Sequence, residues 1–196
     1  MSEKPRKSTV SFLYIGSPLA LPVLHIYNVG YKPRRYHCSV TMLKIEIRAI
    51  GRLHEPWKGL MDEYAKRLKP YSRLTITELP DAKFRSVDER DKILRDEASR
   101  LTKNLPHGAR IIAMSERGKE MSTQEFARFV DMHDGSGQEI VFLIGGPLGI
   151  GDDALAHADR TLSLSRLTFT HEMARVILLE QLYRATTIIK GKTYHY

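Results

Sequence analysis

Cysteine is almost missing from this 196-residue chain, in which Cys38 stands alone. One thiol closes no intrachain disulfide and builds no cysteine cluster for zinc, so a disulfide-stapled scaffold is excluded and a reducing compartment is indicated. Long apolar runs are missing too. The longest loosely apolar stretch, residues 12–27, is broken by Pro18 and Pro22 and falls short of the roughly 20 residues a spanning helix needs. Lys4, Arg6 and Lys7 precede it as in a signal peptide, but the prolines and the missing small-residue cleavage pattern argue against one. His25, His37, His54, His107, His133 and His157 are scattered without ligand spacing, so no metal is expected. The chain carries no internal repeat and no low-complexity tract.

What remains is an ordinary globular balance, 42% apolar and 28% charged, on a length that suits one domain with an appendage. The net charge of +8 favours a polyanionic partner, but its distribution matters more than its size. Residues 1–41 hold net +5, leaving +3 for the other 155 residues. That first segment is basic, interrupted by Pro5, Pro18, Pro22 and Pro33, and lacks sustained periodicity. It reads as an extension, either a disordered tail or the product of an upstream start, with the domain beginning at Met42.

From Met42 onward strand and helix patterns alternate. Residues 43–48 alternate apolar and charged, the mark of a strand with one buried face. Trp57, Leu60, Met61, Tyr64 and Leu68 recur at helical spacing, and a second strand around Leu74 and Ile76 stops at Pro80. Ser86 and Glu89 form a capping-box pattern before a charged amphipathic helix, and Ser122 and Glu125 form another before the stripe Phe126, Phe129, Val130 and His133. Residues 110–114 and 140–144 are apolar enough to be buried strands. A short helix over 152–158, a strand over 162–164 and a helix over about 172–189 complete the pattern. This alternation predicts an α/β fold with a largely parallel sheet flanked by helices on both faces.

Chemistry concentrates in three places. The loop Gly145-Gly146-Pro147-Leu148-Gly149-Ile150-Gly151 follows a strand, where open α/β sheets bind ligands and glycine lets backbone approach them. It ends in Asp152-Asp153 where a phosphate-cradling loop needs Gly-Lys-Ser/Thr, which disfavours ATP and GTP. Gly149-Ile-Gly151-Asp-Asp-Ala154 matches a dinucleotide pattern, but set too far past its strand to be strong. The second place is the connection Ser163 to Glu172, in which His171 either caps the last helix or lies beside a ligand. The third is Glu180-Gln181-Leu182-Tyr183-Arg184-Ala185 together with the end, Tyr194-His195-Tyr196.

These motifs in this order, namely residues 144–150, 162–171, 175–185 and 194–195, make residues 42–196 resemble the small SPOUT-class methyltransferases that modify large-subunit ribosomal RNA. The resemblance implies an α/β-knot, in which the C-terminal part of a parallel sheet forms a deep trefoil knot holding S-adenosylmethionine (SAM). It also implies a cytoplasmic homodimer that acts on 23S rRNA in assembled ribosomes, at N3 of a pseudouridine in the decoding-region hairpin, with neither DNA nor a membrane as partner. Carried over by motif, the cofactor residues are Met114, Gly145, Gly146, Ser165, Arg166, Leu167, Thr168, Phe169 and Thr170. Catalytic roles fall to Arg184 for the developing anion on the base, His195 for its proton or edge, and Tyr194 for stacking. Some relatives carry a further basic residue after the terminal Tyr-His, a contact that is either missing here or supplied elsewhere, as by Lys190 and Lys192. Two other readings stay open: a nucleotide-dependent oxidoreductase using the dinucleotide-like glycines, and a ribosome-binding protein without catalysis.

Overall fold

A computed structural model describes residues 42–83, 86–134 and 137–192; the extension over residues 1–41, Tyr194 and His195 lie outside them. Five strands form one sheet in the order β2-β1-β4-β3-β5, and every pairing is parallel, as the alternation predicts. In chain order the elements are β1 (Leu43–Ile50), α1 (Trp57–Leu68), β2 (Ser72–Leu79), α2 (Arg90–Thr102), β3 (Arg110–Glu120), α3 (Thr123–His133), β4 (Ile140–Ile144), α4 (Asp152–Ala156), β5 (Arg160–Ser163) and α5 (His171–Ile189).

The apolar run of β4 lies mid-sheet because both its faces are covered. Ile140, Phe142 and Ile144 point into one core, built with Ile45, Ile47, Phe126, Phe129, Leu178, Leu179 and Leu182 under α1, α3 and α5. Val141 and Leu143 point into the other, with Ile50, Ala98, Leu101, Ile111 and Ile150 under α2 and α4. Phe142 is fully enclosed, its ring tilted against Phe126 at 6.4 Å between centroids.

Three sequence expectations change. The alternation of β1 predicts one wet face, yet Glu46 is buried and Arg48 partly so. Arg48 Nε donates to Glu46 at 2.8 Å, and its other nitrogens donate to the carbonyls of Leu101, Lys103 and Asn104. The charged face therefore closes against the C-terminal end of α2, where free carbonyls favour a cation. The capping box expected at Ser86 does not form, because a 3-10 turn over Val87–Glu89 intervenes and α2 starts without a side-chain cap. At Ser122 both arms of the box are present, and the two bonds it receives from Ser122 hold the Glu125 carboxyl below the usual carboxylate range. Finally, β3 runs to Glu120 rather than ending at Met114, through an irregularity after which Lys119 pairs with Leu162, as Met114 does before it.

Truncating Phe142 leaves a cavity that neither core can fill. Phe142→Ala is expected to lose about 3–5 kcal/mol of unfolding free energy, read from urea denaturation.

Candidate cofactor and active site

The C-terminal ends of β4 and β5 and the middle of β3 open into one cavity of about 360 Å³, within the roughly 300–1,000 Å³ range of small-molecule sites. Met114 and Ile144 form its floor, the glycine loop one wall, and the 163–170 connection the opposite wall. Of the residues named from the sequence, Met114, Gly145, Gly146, Ser165, Leu167, Thr168, Phe169 and Thr170 all line this space. Arg166 sits among them in sequence but faces solvent and does not line it.

The glycine loop folds back on itself. Gly149 N–H donates to the Gly146 carbonyl at 3.0 Å, and Gly149 adopts φ 86°, a conformation that favours glycine. A Cβ added to Gly145 would lie 2.1 Å from the Gly149 carbonyl oxygen, so only glycine lets the two arms of the loop close. The opposite wall is held by short hydroxyl bonds: Ser163 Oγ donates to the Ser165 carbonyl at 2.8 Å, and Leu167 N–H donates to Ser165 Oγ at 3.0 Å. Leu167 itself stands largely exposed at the rim. Thr170, not His171, caps α5, its hydroxyl accepting from Met173 N–H at 3.3 Å. His171 is left free to line the cavity.

The chemistry of the lining is selective. It includes two carboxylates, Glu116 and Glu172, and no lysine or arginine. Apolar walls come from Met114, Ile144, Ile150, Leu162, Leu164 and Leu167. Such a site repels a pyrophosphate and accepts a ligand carrying a positive charge and a flat apolar ring. A sulfonium nucleoside fits these residues; a dinucleotide does not.

Two buried residues support the site without having been assigned a role from the sequence. Arg175, 1% exposed, donates to the carbonyls of Ile50 and Gly51, the latter at 3.0 Å, and reaches Glu78 at 3.4 Å. Burial pulls its pKa down, opposed by Glu78 and Glu172. Glu97 of α2, 3% exposed, lies directly behind the glycine loop, where a Cβ on Gly146 would be 3.2 Å from its Oε2. Its Oε1 accepts from Ala82 N–H at 3.4 Å, whereas Oε2 has no hydrogen-bond partner among the described residues. A lone arginine or glutamate on a helix reads as surface; only the fold reveals that these two point inward.

Arg184 is placed elsewhere. It pairs with Glu180 one turn back on α5, at 3.1 Å through Nε, and does not line the cavity. It lies thirteen positions after His171, about 20 Å along the helix axis. A second cavity of about 550 Å³ adjoins the first, sharing Pro147, His171 and Glu172 with it and lined further by Gly51, Arg52, His54, Glu78, Pro80 and Asp81.

Comparison with known proteins follows this geometry. Residues 43–195 match the family model described as predicted SPOUT methyltransferase. A "Ribosomal RNA large subunit methyltransferase H" from Geotalea daltonii is 43% identical over 157 residues, covering 79% of this chain and all of the relative. Proteins of the same name from Kosmotoga olearia and Geobacter metallireducens are 45% and 42% identical, covering 69% and 79% of this chain and 88% and 99% of their own lengths.

Glu97 offers a test of the packing behind the glycine loop. Burial raises its pKa, so its ionised form costs stability above the folded pKa, and the cost fades as pH falls through that value. Glu97→Gln is neutral throughout. It is expected to melt above the wild type at about pH 8 and to lose that advantage near pH 4, as followed by calorimetry.

Proposed function

The chain belongs to the SPOUT methyltransferase family, and from that premise we propose that it is a SAM-dependent methyltransferase of large-subunit ribosomal RNA. The target is N3 of a pseudouridine in the decoding-region hairpin of 23S rRNA, modified on assembled ribosomes in the cytoplasm. The observation that carries the reading is the cavity at the strand ends, which joins apolar walls to two carboxylates and excludes every lysine and arginine. The same lining weighs against the oxidoreductase reading, which must place a pyrophosphate there. A ribosome-binding protein without catalysis has no use for such a cavity.

Bound SAM supplies an electrophilic methyl group carried by a sulfonium. The chain's own part is to hold and orient it: Gly145, Gly146 and the backbone of 165–170 offer polar groups at close range, and Met114, Ile144 and Leu162 cover its apolar faces. The family implies a deep trefoil knot in the C-terminal part of the sheet, where β3 and β5 run side by side. Arg166, exposed beside the cavity mouth, is available to RNA phosphate rather than to the cofactor.

Arg184 acts from a second copy of the chain. Its distance from the cavity along α5 puts it out of reach of its own cofactor, and a homodimer brings it, with Tyr194 and His195, to the partner's site. There Arg184 stabilises the anion that develops on the base.

Two experiments test this reading. Methyl-labelled SAM incubated with ribosomes lacking the modification is expected to label that pseudouridine, located by mass mapping; label on no rRNA base ends the proposal. Gly145→Ala is expected to abolish SAM binding in calorimetry and Arg184→Ala to abolish transfer, whereas mixed Gly145→Ala/Arg184→Ala dimers regain activity through the one site that holds both native groups. Mixed dimers as inactive as their parents would remove the role of the second copy.

A further inference from the structure

Two cavities share one imidazole. On the reading of the chain as an rRNA methyltransferase, we propose that the second cavity, between the ends of β1 and β2 and the start of α5, seats the acceptor nucleobase. His171 on the shared wall then takes the proton from its ring N–H.

The geometry carries this assignment. Pro147, His171 and Glu172 line both spaces, so the second cavity adjoins the first along these three residues. Nε2 of His171 faces the Gly51 turn, 3.5 Å from where a Cβ would stand, and among the described residues neither ring nitrogen has a hydrogen-bond partner. The ring is half-buried and fixed at the first position of a 19-residue helix, after a Thr170 cap that leaves the imidazole unused.

The second cavity also selects the kind of occupant. Glu78, Asp81 and Glu172 line it, a set that repels phosphate and accepts the N–H groups of a base. Arg52, on its exposed side, suits the phosphate that follows a base turned inward. The class of occupant is thus a nucleobase with an acidic ring N–H, taken out of its stack.

The proton step balances without any added reagent. The N–H bond breaks, its electron pair stays on nitrogen to receive the methyl, and the proton moves to Nε2; the imidazolium then gives it to water at the open mouth. A neutral ring is needed beforehand. Burial, then Arg175, lowers the pKa of His171, against Glu172 and Asp81, so the neutral form prevails near pH 7. The other charged groups facing the ring are Arg52, His54 and Glu78 across the second cavity and Glu116 across the first.

The test is single-turnover transfer of labelled methyl to ribosomes lacking the modification, between about pH 5 and pH 9. The wild-type rate is expected to rise through an inflection below the ordinary imidazole value of about 6.5. Proton NMR of the His171 ring in the cofactor-free protein is expected to titrate at the same pH. His171→Asn should slow transfer at saturating SAM by about 10²–10⁴-fold and erase the inflection. Asp81→Trp, which fills the second cavity, should raise KM for ribosomes about tenfold or more while leaving SAM affinity alone. A His171→Asn variant that keeps its rate or its inflection, or an Asp81→Trp variant with unchanged KM, overturns the assignment. If the wild type labels no rRNA, the parent reading fails and takes this proposal with it, an outcome distinct from failure in the variants alone.

Discussion

The site depends on one buried cation. Arg175 sits in the second turn of α5 with its guanidinium under the end of β1, and a charge there is tolerable only if its donors find acceptors. They find the carbonyls of Ile50 and Gly51 and the carboxylate of Glu78, which also accepts from Leu53 N–H at 2.8 Å. Gly51 makes this possible by turning at φ 85° as β1 ends, while its own N–H is paired to the Leu79 carbonyl at 2.7 Å. The start of α5 is thereby fixed over the ends of β1 and β2. The 163–170 connection must span from β5 to that point, and in doing so it becomes the second wall of the cofactor cavity.

The first wall is fixed from behind. Glu97 occupies the space under Gly146, with Ile50 beside it, so the loop packs against side chains of two different elements. Gly151, at the far end of the loop, runs so close to α2 that a Cβ would stand 2.8 Å from the Leu94 carbonyl. Glycine is needed along this segment chiefly because its surroundings leave no room. A carboxylate that is costly to bury and a loop that admits no side chain form one packed unit.

The fold was legible in the sequence where burial imposes a period. The unbroken run 140–144 and the stripe Phe126, Phe129, Val130 and His133 each report a buried face, and each face is where the pattern places it; the alternation of 43–48 reports the strand but not the closure of its charged face. The outer half of β3, residues 115–120, escaped because it is polar throughout; it is a strand because β5 lies alongside to pair with it. Ser86 misled because a capping box needs the chain to enter the helix directly, and a 3-10 turn takes its place. Within the site, the glycine loop and the 165–170 run were visible as local motifs. Arg175 and Glu97 were not. Their partners lie far away in sequence, up to 125 positions for Arg175 and Ile50, and no local pattern distinguishes a charge that points inward from one that points outward.

Charge segregation makes the arrangement coherent. A protein of net +8 is drawn toward polyanions, yet the two cavities at its functional end are lined by Glu78, Asp81, Glu116 and Glu172, with Arg52 the only lysine or arginine among their linings. Positive side chains near that end, such as Arg52 and Arg166, face solvent. Under the proposed function this charge pattern favours an RNA backbone at the rim over one in the interior, while an uncharged base meets no such barrier. The same field favours a sulfonium over a pyrophosphate in the first cavity. On the proposed reading, a single distribution of charge sorts three ligand groups, phosphate outside, base and cationic cofactor inside, without any one residue having to discriminate among them.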